Sequence, residues 1–252
     1  MKAVLYICHG SRMQEACEEA VAFVTSCMER ISAPIQEVCF LELASPSIAE
    51  GVAACVQKGA NQIVIVPVFL LAAVHVKIDI PKELGRLQNQ YPYVSFSYGN
   101  PFGVSRKLVT AILDGSGMKS IGKRVTLLLV ARGSSDEGTL RDVRAIASLF
   151  EAADEVEHVE VCYLAAAKPR FEEKLHELVQ TTNAPIVILP YLLFTGLLMK
   201  RIEKTVRKYN HSQIVLCPYV SKNQAFQDML IKHTEEMIRE NVYVSINGAN
   251  KE

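Results

Sequence analysis

The chain has 252 residues, half of them apolar, and its Lys+Arg and Asp+Glu counts balance at 27 each. That length suits two domains of modest size, and a neutral chain is not drawn to nucleic acid or to a membrane surface by its net field, so an anionic ligand must be met by local cations. No apolar run reaches the roughly 18 residues of a membrane span, and the N-terminal MKAVLYICHGSR lacks a signal-peptide pattern and reads directly as a first strand.

Short apolar runs then alternate with longer amphipathic ones. The first strand is expected over 3–8 and is followed at once by His9, Gly10, Ser11 and Arg12. A helix over 12–31 leads to a strand over 36–43, which carries Glu42 between Leu41 and Leu43. Next come a helix over 46–58 and a strand over 62–69. Pro46 at the head of that helix sits where a missing N–H costs nothing. His75 and Lys77 fall in the loop before a helix over 78–90, and a strand over 93–98 and a helix over 104–114 complete the half. Asp114-Gly115-Ser116-Gly117-Met118 breaks regular structure and reads as the linker. The second half repeats the order, with strands near 125–131, 158–164, 185–192 and 213–217. Its helices are expected near 138–152, 169–180 (opened by Pro169), 197–209 and 222–240, and its tail after Val244 is expected to fray. Near-continuous apolar strands separated by helices imply a parallel sheet covered on both faces. The expected fold class is α/β: two tandem, similar, doubly wound domains, 1–114 and 119–252, each a small parallel sheet flanked by helices.

The halves are written in one register. Residues 61–77, NQIVIVPVFLLAAVHVK, align without gaps to 184–200, APIVILPYLLFTGLLMK, a spacing of 123 residues from Lys77 to Lys200. The same spacing sets His9-Gly10-Ser11 against Arg132-Gly133-Ser134, and Leu41-Glu42-Leu43-Ala44 against Leu164-Ala165-Ala166-Ala167. In that register His9, Glu42 and His75 become Arg132, Ala165 and Leu198. A packing role would be served in both copies, so three ionisable residues lost together point to one site, built once.

In an open parallel sheet, ligands bind beyond the carboxyl ends of the strands. His9 follows strand one, Glu42 ends strand two and His75 lies past strand three, so the three share one sheet edge. Two imidazoles and a carboxylate serve as general bases near neutral pH, and they also form a ligand set for Fe²⁺, Co²⁺ or Ni²⁺. Each residue has a plainer reading. A lone histidine is more often structural, Glu42 could be a solvent-facing strand residue, and Gly10-Ser11 could be only a tight turn. His158, His176, His211 and His233 take that plainer reading, on helices or outer loops. Seven scattered cysteines without a CxxC argue for a reducing cytoplasm, and against a disulfide framework, a zinc knuckle or a ligated Fe–S cluster.

The residues that carry these features resemble those of the class II tetrapyrrole chelatases, the sirohydrochlorin chelatases of the SirB/CbiX type. The matching text is CHGSR at 8–12, FLELASPSI at 40–48 and VPVFLLAAVHVKIDIP at 66–81, with ARGSSD at 131–136 and LPYLLFTGLLMKRIE at 189–203. The resemblance implies insertion of Fe²⁺, or of Co²⁺ or Ni²⁺, into sirohydrochlorin, the iron product being sirohaem. It implies that the metal is a substrate and that no cofactor is permanently bound. It places the family's two histidines on His9 and His75, as catalytic and metal-binding groups, and its acidic partner on Glu42. Half-length members act as homodimers, which agrees with a fused duplication here and with a monomer whose second domain forms the other wall of the cleft. Cobalt-type relatives carry a histidine-rich tract or a C-terminal cysteine cluster; this chain has neither, which leans towards iron.

The chemistry that the resemblance implies suits the residues. Metal coordination acidifies the pyrrole N–H groups, and a nearby base then takes up two protons. Sirohydrochlorin carries acetate and propionate arms, for which Arg12, Lys77, Arg132 and Lys200 are the expected cations. The Ser11 and Ser134 turns add backbone donors. Three rivals stand beside this reading. A cobaltochelatase of cobalamin biosynthesis would use the same residues. A histidine-type phosphatase would need an arginine where Cys8 stands, and a non-enzymatic metal or tetrapyrrole carrier would bind without accelerating insertion.

Overall fold

A run such as KAVLYIC, with no charge after Lys2, has to be covered on both faces. The computed structural model describes residues 1–73, 75–209 and 213–240, the side chains of His75 and Glu240 excepted. In it β1 (Lys2–Cys8) lies inside a four-stranded parallel sheet in the order β2 (Ile35–Phe40), β1, β3 (Gln62–Pro67), β4 (Ser95–Tyr98). A second parallel sheet has the same order: β6 (Val156–Tyr163), β5 (Val125–Ala131), β7 (Ile186–Tyr191), β8 (Ile214–Leu216). The helices are α1 (Gln14–Met28), α2 (Ile48–Gln57), α3 (Ile80–Gln90) and α4 (Arg106–Gly115), then α5 (Glu137–Glu151), α6 (Phe171–Thr181), α7 (Leu197–Val206) and α8 (Gln224–Glu240). The expected α/β class with two tandem parallel sheets is what the chain adopts.

Each sheet packs its apolar residues against helices of like position. Leu5, Ile7, Ile63 and Ile65 are buried with Val52 of α2 and Ile80, Leu84 and Leu87 of α3. Leu128, Val130, Ile186 and Ile188 are buried with Phe171 and Leu175 of α6 and Met199 and Ile202 of α7. Burial of this kind is the main favourable term in holding such sheets together.

The compact units are not bounded where the sequence repeat is. One comprises Met1–Phe102 together with the chain from Gln227 onward; the other is Gly103–Phe226. Thus α4, written in the first repeat, packs in the second unit, and α8, written in the second repeat, packs in the first. The apolar face of α4 explains its place: Leu108, Val109, Ala111 and Ile112 are buried, and the Asn223 amide donates to Ala111 O. On α8, Leu230 and Thr234 are fully buried, Lys2 Nζ donates to Ile238 O at 2.8 Å and Arg30 pairs with Asp228 at 2.7 Å. The division 1–114 and 119–252 therefore follows the text of the repeat, whereas the contacts cut before Gly103 and after Phe226. Asp114–Met118 is no loose tether either, since Met118 is buried and Ser116 O accepts the Cys217 thiol at 3.5 Å.

Other expectations shift at element ends. Pro46 and Pro169 stand outside their helices, each in a cis peptide bond with the residue before it, and α2 and α6 start two residues later. Ser47 caps α2 reciprocally with Glu50, the Ser47 N–H donating to Glu50 Oε2 at 2.6 Å. His158 lies on β6 rather than on a helix or loop. His176 is on α6, and His233 is on α8 with Nε2 3.0 Å from Asn100 O. His211 and the tail after Val244 lie outside the described residues.

Candidate active site at the carboxyl edge of the first sheet

The strand order places β2 and β3 on opposite sides of β1, which makes the carboxyl end of β1 a topological switch point. Backbone pairing continues past the strand ends: Leu41 N–H donates to Cys8 O at 2.8 Å and Glu42 N–H to His9 O at 3.1 Å. Gly10 makes this approach feasible. Its φ is +90°, and a methyl group there would stand 1.8 Å from the Glu42 carbonyl oxygen. Gly10 is thus more than the tight turn that its sequence allows. Glu42 lies two residues beyond β2, on the loop, not within the strand.

The interlock sets His9 Nδ1 and Glu42 Oε1 3.7 Å apart, with the side chains 30% and 43% exposed. That is too long for a hydrogen bond and too exposed for much stability. Its value is positional, since a carboxylate beside an imidazole orients the ring. The ring also leans on Phe69, with centroids 6.1 Å apart and planes at 51°. Phe69, absent from the expected site, is buried in the loop after β3, and its carbonyl accepts from Phe102 N–H at 3.2 Å.

His75 opens a π-helical turn, His75–Asp79, that runs directly into α3. It was expected in a loop. π-turns widen the backbone ladder and recur at functional sites. The turn is fixed from below: Val76 and Ile80 are buried, and the Tyr98 hydroxyl donates to Val76 O at 2.8 Å. Burial pushes that phenol's pKa up, so it stays a donor. The His75 side chain is outside the described residues. Among those residues, no three of His, Cys, Asp and Glu stand close enough to hold a metal ion.

The remaining expected site residues occupy the same kinds of loop. Arg12 precedes α1 and Lys77 lies in the π-turn; Arg132 follows β5 and Lys200 is on α7; all four are exposed. The two serines have equivalent local roles. Ser11 Oγ accepts from Met13 N–H at 3.1 Å, and Ser134 Oγ accepts from Asp136 N–H at 3.0 Å, tightening each turn before its helix.

The second unit keeps the loop geometry without the histidines and the glutamate. Gly133 has φ +89°, with a methyl position 1.8 Å from Ala165 O. Ala165 N–H donates to Arg132 O at 2.8 Å. Leu198, in the register of His75, packs partly buried against the apolar core. Arg201 stands where the first repeat has Ile78, and holds Glu172 through both oxygens at 2.6 and 2.7 Å as well as Leu164 O at 2.7 Å. Burial works against the Glu172 charge, but the Arg201 hydrogen bonds outweigh it and hold that carboxyl below its ordinary range.

A cavity of about 710 Å³ in this unit is lined by Lys123, Arg124, Glu157, His158 and Gln213, at the amino ends of its strands. That is the opposite edge from the one where such sheets bind ligands. Among the described residues no helix is long and apolar enough to cross a membrane.

A doubled four-stranded parallel α/β unit, with an imidazole and a carboxylate brought together beyond the strand ends of one copy only, defines a chelatase-like protein. The CbiX family model matches residues 3–116 and 126–237, and the chain belongs to that family. A sirohydrochlorin ferrochelatase of Priestia megaterium is 41% identical over 242 residues, covering 94% of this chain and 91% of that one. A sirohydrochlorin cobaltochelatase of the same organism is 32% identical over 94% of this chain and 80% of its own length. The solved structure of SirB from Bacillus subtilis with Fe³⁺ is 39% identical, with a TM-score of 0.84 over 95% of this chain and 96% of that one.

Proposed function

We propose that this chain is a sirohydrochlorin chelatase that inserts Fe²⁺ into sirohydrochlorin, the last step in making sirohaem. The metal is a substrate, no cofactor is held permanently, and the chain works as a monomer in the cytoplasm. The observation that carries the reading is the His9–Glu42 pair, 3.7 Å apart at the carboxyl edge of a sheet whose twin has the same loop geometry without either side chain. The ferrochelatase relative at 41% identity favours iron over the cobalt reading, whose relative is at 32%.

The reaction joins one Fe²⁺ to the macrocycle and releases two pyrrole protons. Imidazole accepts a proton or holds a borderline metal ion near neutral pH, which assigns His9 and His75 to those tasks. Glu42 orients the His9 ring and offsets cationic charge. Arg132 cannot act as a base, because its guanidinium stays protonated. Its planar fork suits a carboxylate, so Arg132, with Arg12, Lys77 and Lys200 and the Ser11 and Ser134 turns, is assigned to the acetate and propionate arms.

Anaerobic mixing with sirohydrochlorin and Fe²⁺, Co²⁺ or Ni²⁺, followed by visible absorbance, tests the reading against the spontaneous rate. His9→Ala and His75→Ala should each slow insertion by about 10²–10⁴-fold, the usual loss for a positioned base. Wild-type insertion no faster than the spontaneous reaction leaves only a carrier, and near-normal rates in both variants remove the histidine assignment.

A further inference from the structure

Leu43 follows Glu42 and has φ +63°, a backbone region that glycine tolerates and a leucine enters only under constraint. The constraint belongs to the fold, because Ala166, its counterpart in the second repeat, has φ +56° between the same Gly–carbonyl interlock and the same cis proline. The side chain is another matter. Alanine satisfies this corner in the copy that lacks the histidines and the glutamate, whereas the copy that has them carries a leucine with 52% of its surface exposed. Among the large exposed apolar residues, Ile78 is a second one at this edge, 57% exposed and three residues past His75. Folding does not require apolar bulk at either place, and water does not favour it.

We propose that Leu43 is a substrate-contact residue, an apolar bearing for the face of the tetrapyrrole ring beside Glu42, with Ile78 adding to the same support. The inference rests on the chelatase reading and deepens it. A conjugated macrocycle presents two broad apolar faces inside a rim of carboxylates. The cations answer the rim, and they leave the faces to be covered. An aliphatic side chain next to the acid does this while shielding the pair from water. Covering the half of Leu43 that is still exposed corresponds to about a tenfold gain in affinity.

The test titrates metal-free sirohydrochlorin against the full-length wild type and the Leu43→Ala, Leu43→Gln and Leu43→Met variants, with thermal melting of each. The second repeat already tolerates alanine here, so Leu43→Ala should melt as the wild type does. It should bind about tenfold more weakly. Leu43→Gln keeps length and loses apolarity, and should weaken binding by a similar factor; Leu43→Met should retain it. Unchanged affinity in Leu43→Ala and Leu43→Gln overturns the inference while leaving the chelatase reading standing. An equal loss in Leu43→Met also overturns it, since that would track shape rather than apolar contact. A wild type that does not bind sirohydrochlorin removes the chelatase reading and this inference with it.

Discussion

At the scale of single residues, the candidate site depends on Gly10 as much as on His9 and Glu42. Alanine there meets an unfavourable φ and the Glu42 carbonyl at 1.8 Å, so the two loops have to part. Gly10→Ala and Gly133→Ala face the same local geometry, and each should cost at least about 1–2 kcal/mol of stability. Their effects on insertion should differ, because only Gly10→Ala separates His9 from Glu42. Urea denaturation and insertion assays at saturating sirohydrochlorin on both variants check this; an unchanged insertion rate in Gly10→Ala would mean that the interlock has no part in the site. The nearness of His9 and Glu42 was legible in the sequence, since residues just past adjacent parallel strands must be neighbours. The interlock was not, because a glycine in text does not disclose which carbonyl it lets approach. Phe69 and Tyr98 were missed for a related reason. Their apolar settings read as core, and only the fold shows one against the His9 ring and the other holding the His75 turn.

At the scale of elements, alternation of apolar strands and amphipathic helices located every strand and helix of both sheets, with errors at their ends. Those errors have local causes. The strand expected over 36–43 stops at Phe40 because Leu43 turns left-handed and Phe40 N–H pairs with Pro46 O at 2.8 Å. The same folded corner keeps Pro46 out of α2. Strand and helix packing also sets the behaviour of the thiols. Cys8 on β1 and Cys55 on α2 are pushed up to about 12 by burial, and Cys39 on β2 well above its ordinary range, neighbouring thiols adding to the effect for Cys8 and Cys39. Below about pH 8.5 these groups are protonated in folded and unfolded chains alike, and their contribution is fully present. Above it the unfolded chain releases thiol protons that the folded chain retains, so stability should decline from about pH 9 towards 12. A urea midpoint that did not fall between pH 8 and pH 10.5 would contradict this. At pH 8 the native chain should react with a thiol reagent at Cys17, which is partly exposed, while the six buried cysteines wait for unfolding.

At the scale of the whole molecule, the sequence repeat and the folded units are different divisions of the chain. Periodicity tells that α4 and α8 each bury one face, but an apolar stripe does not say which sheet covers it, so the exchange could not be read from text. It has a direct consequence for dissection. A fragment of residues 119–252 holds a full sequence repeat yet lacks α4, whose Leu108, Val109, Ala111 and Ile112 are buried in the second unit. A fragment of residues 103–226 lacks α8 but contains that unit entire, including the Asn223 bond to Ala111 O and the Cys217 thiol bond to Ser116 O. Exposing four buried aliphatic positions at once exceeds the margin on which a domain of this size is stable. The 103–226 fragment should therefore unfold cooperatively in urea, and the 119–252 fragment should be open or aggregated. Neither should insert metal, since both lack His9, Glu42 and His75. Cooperative unfolding of 119–252 alongside a disordered 103–226 would make the sequence repeat the folding unit and overturn the division by contacts.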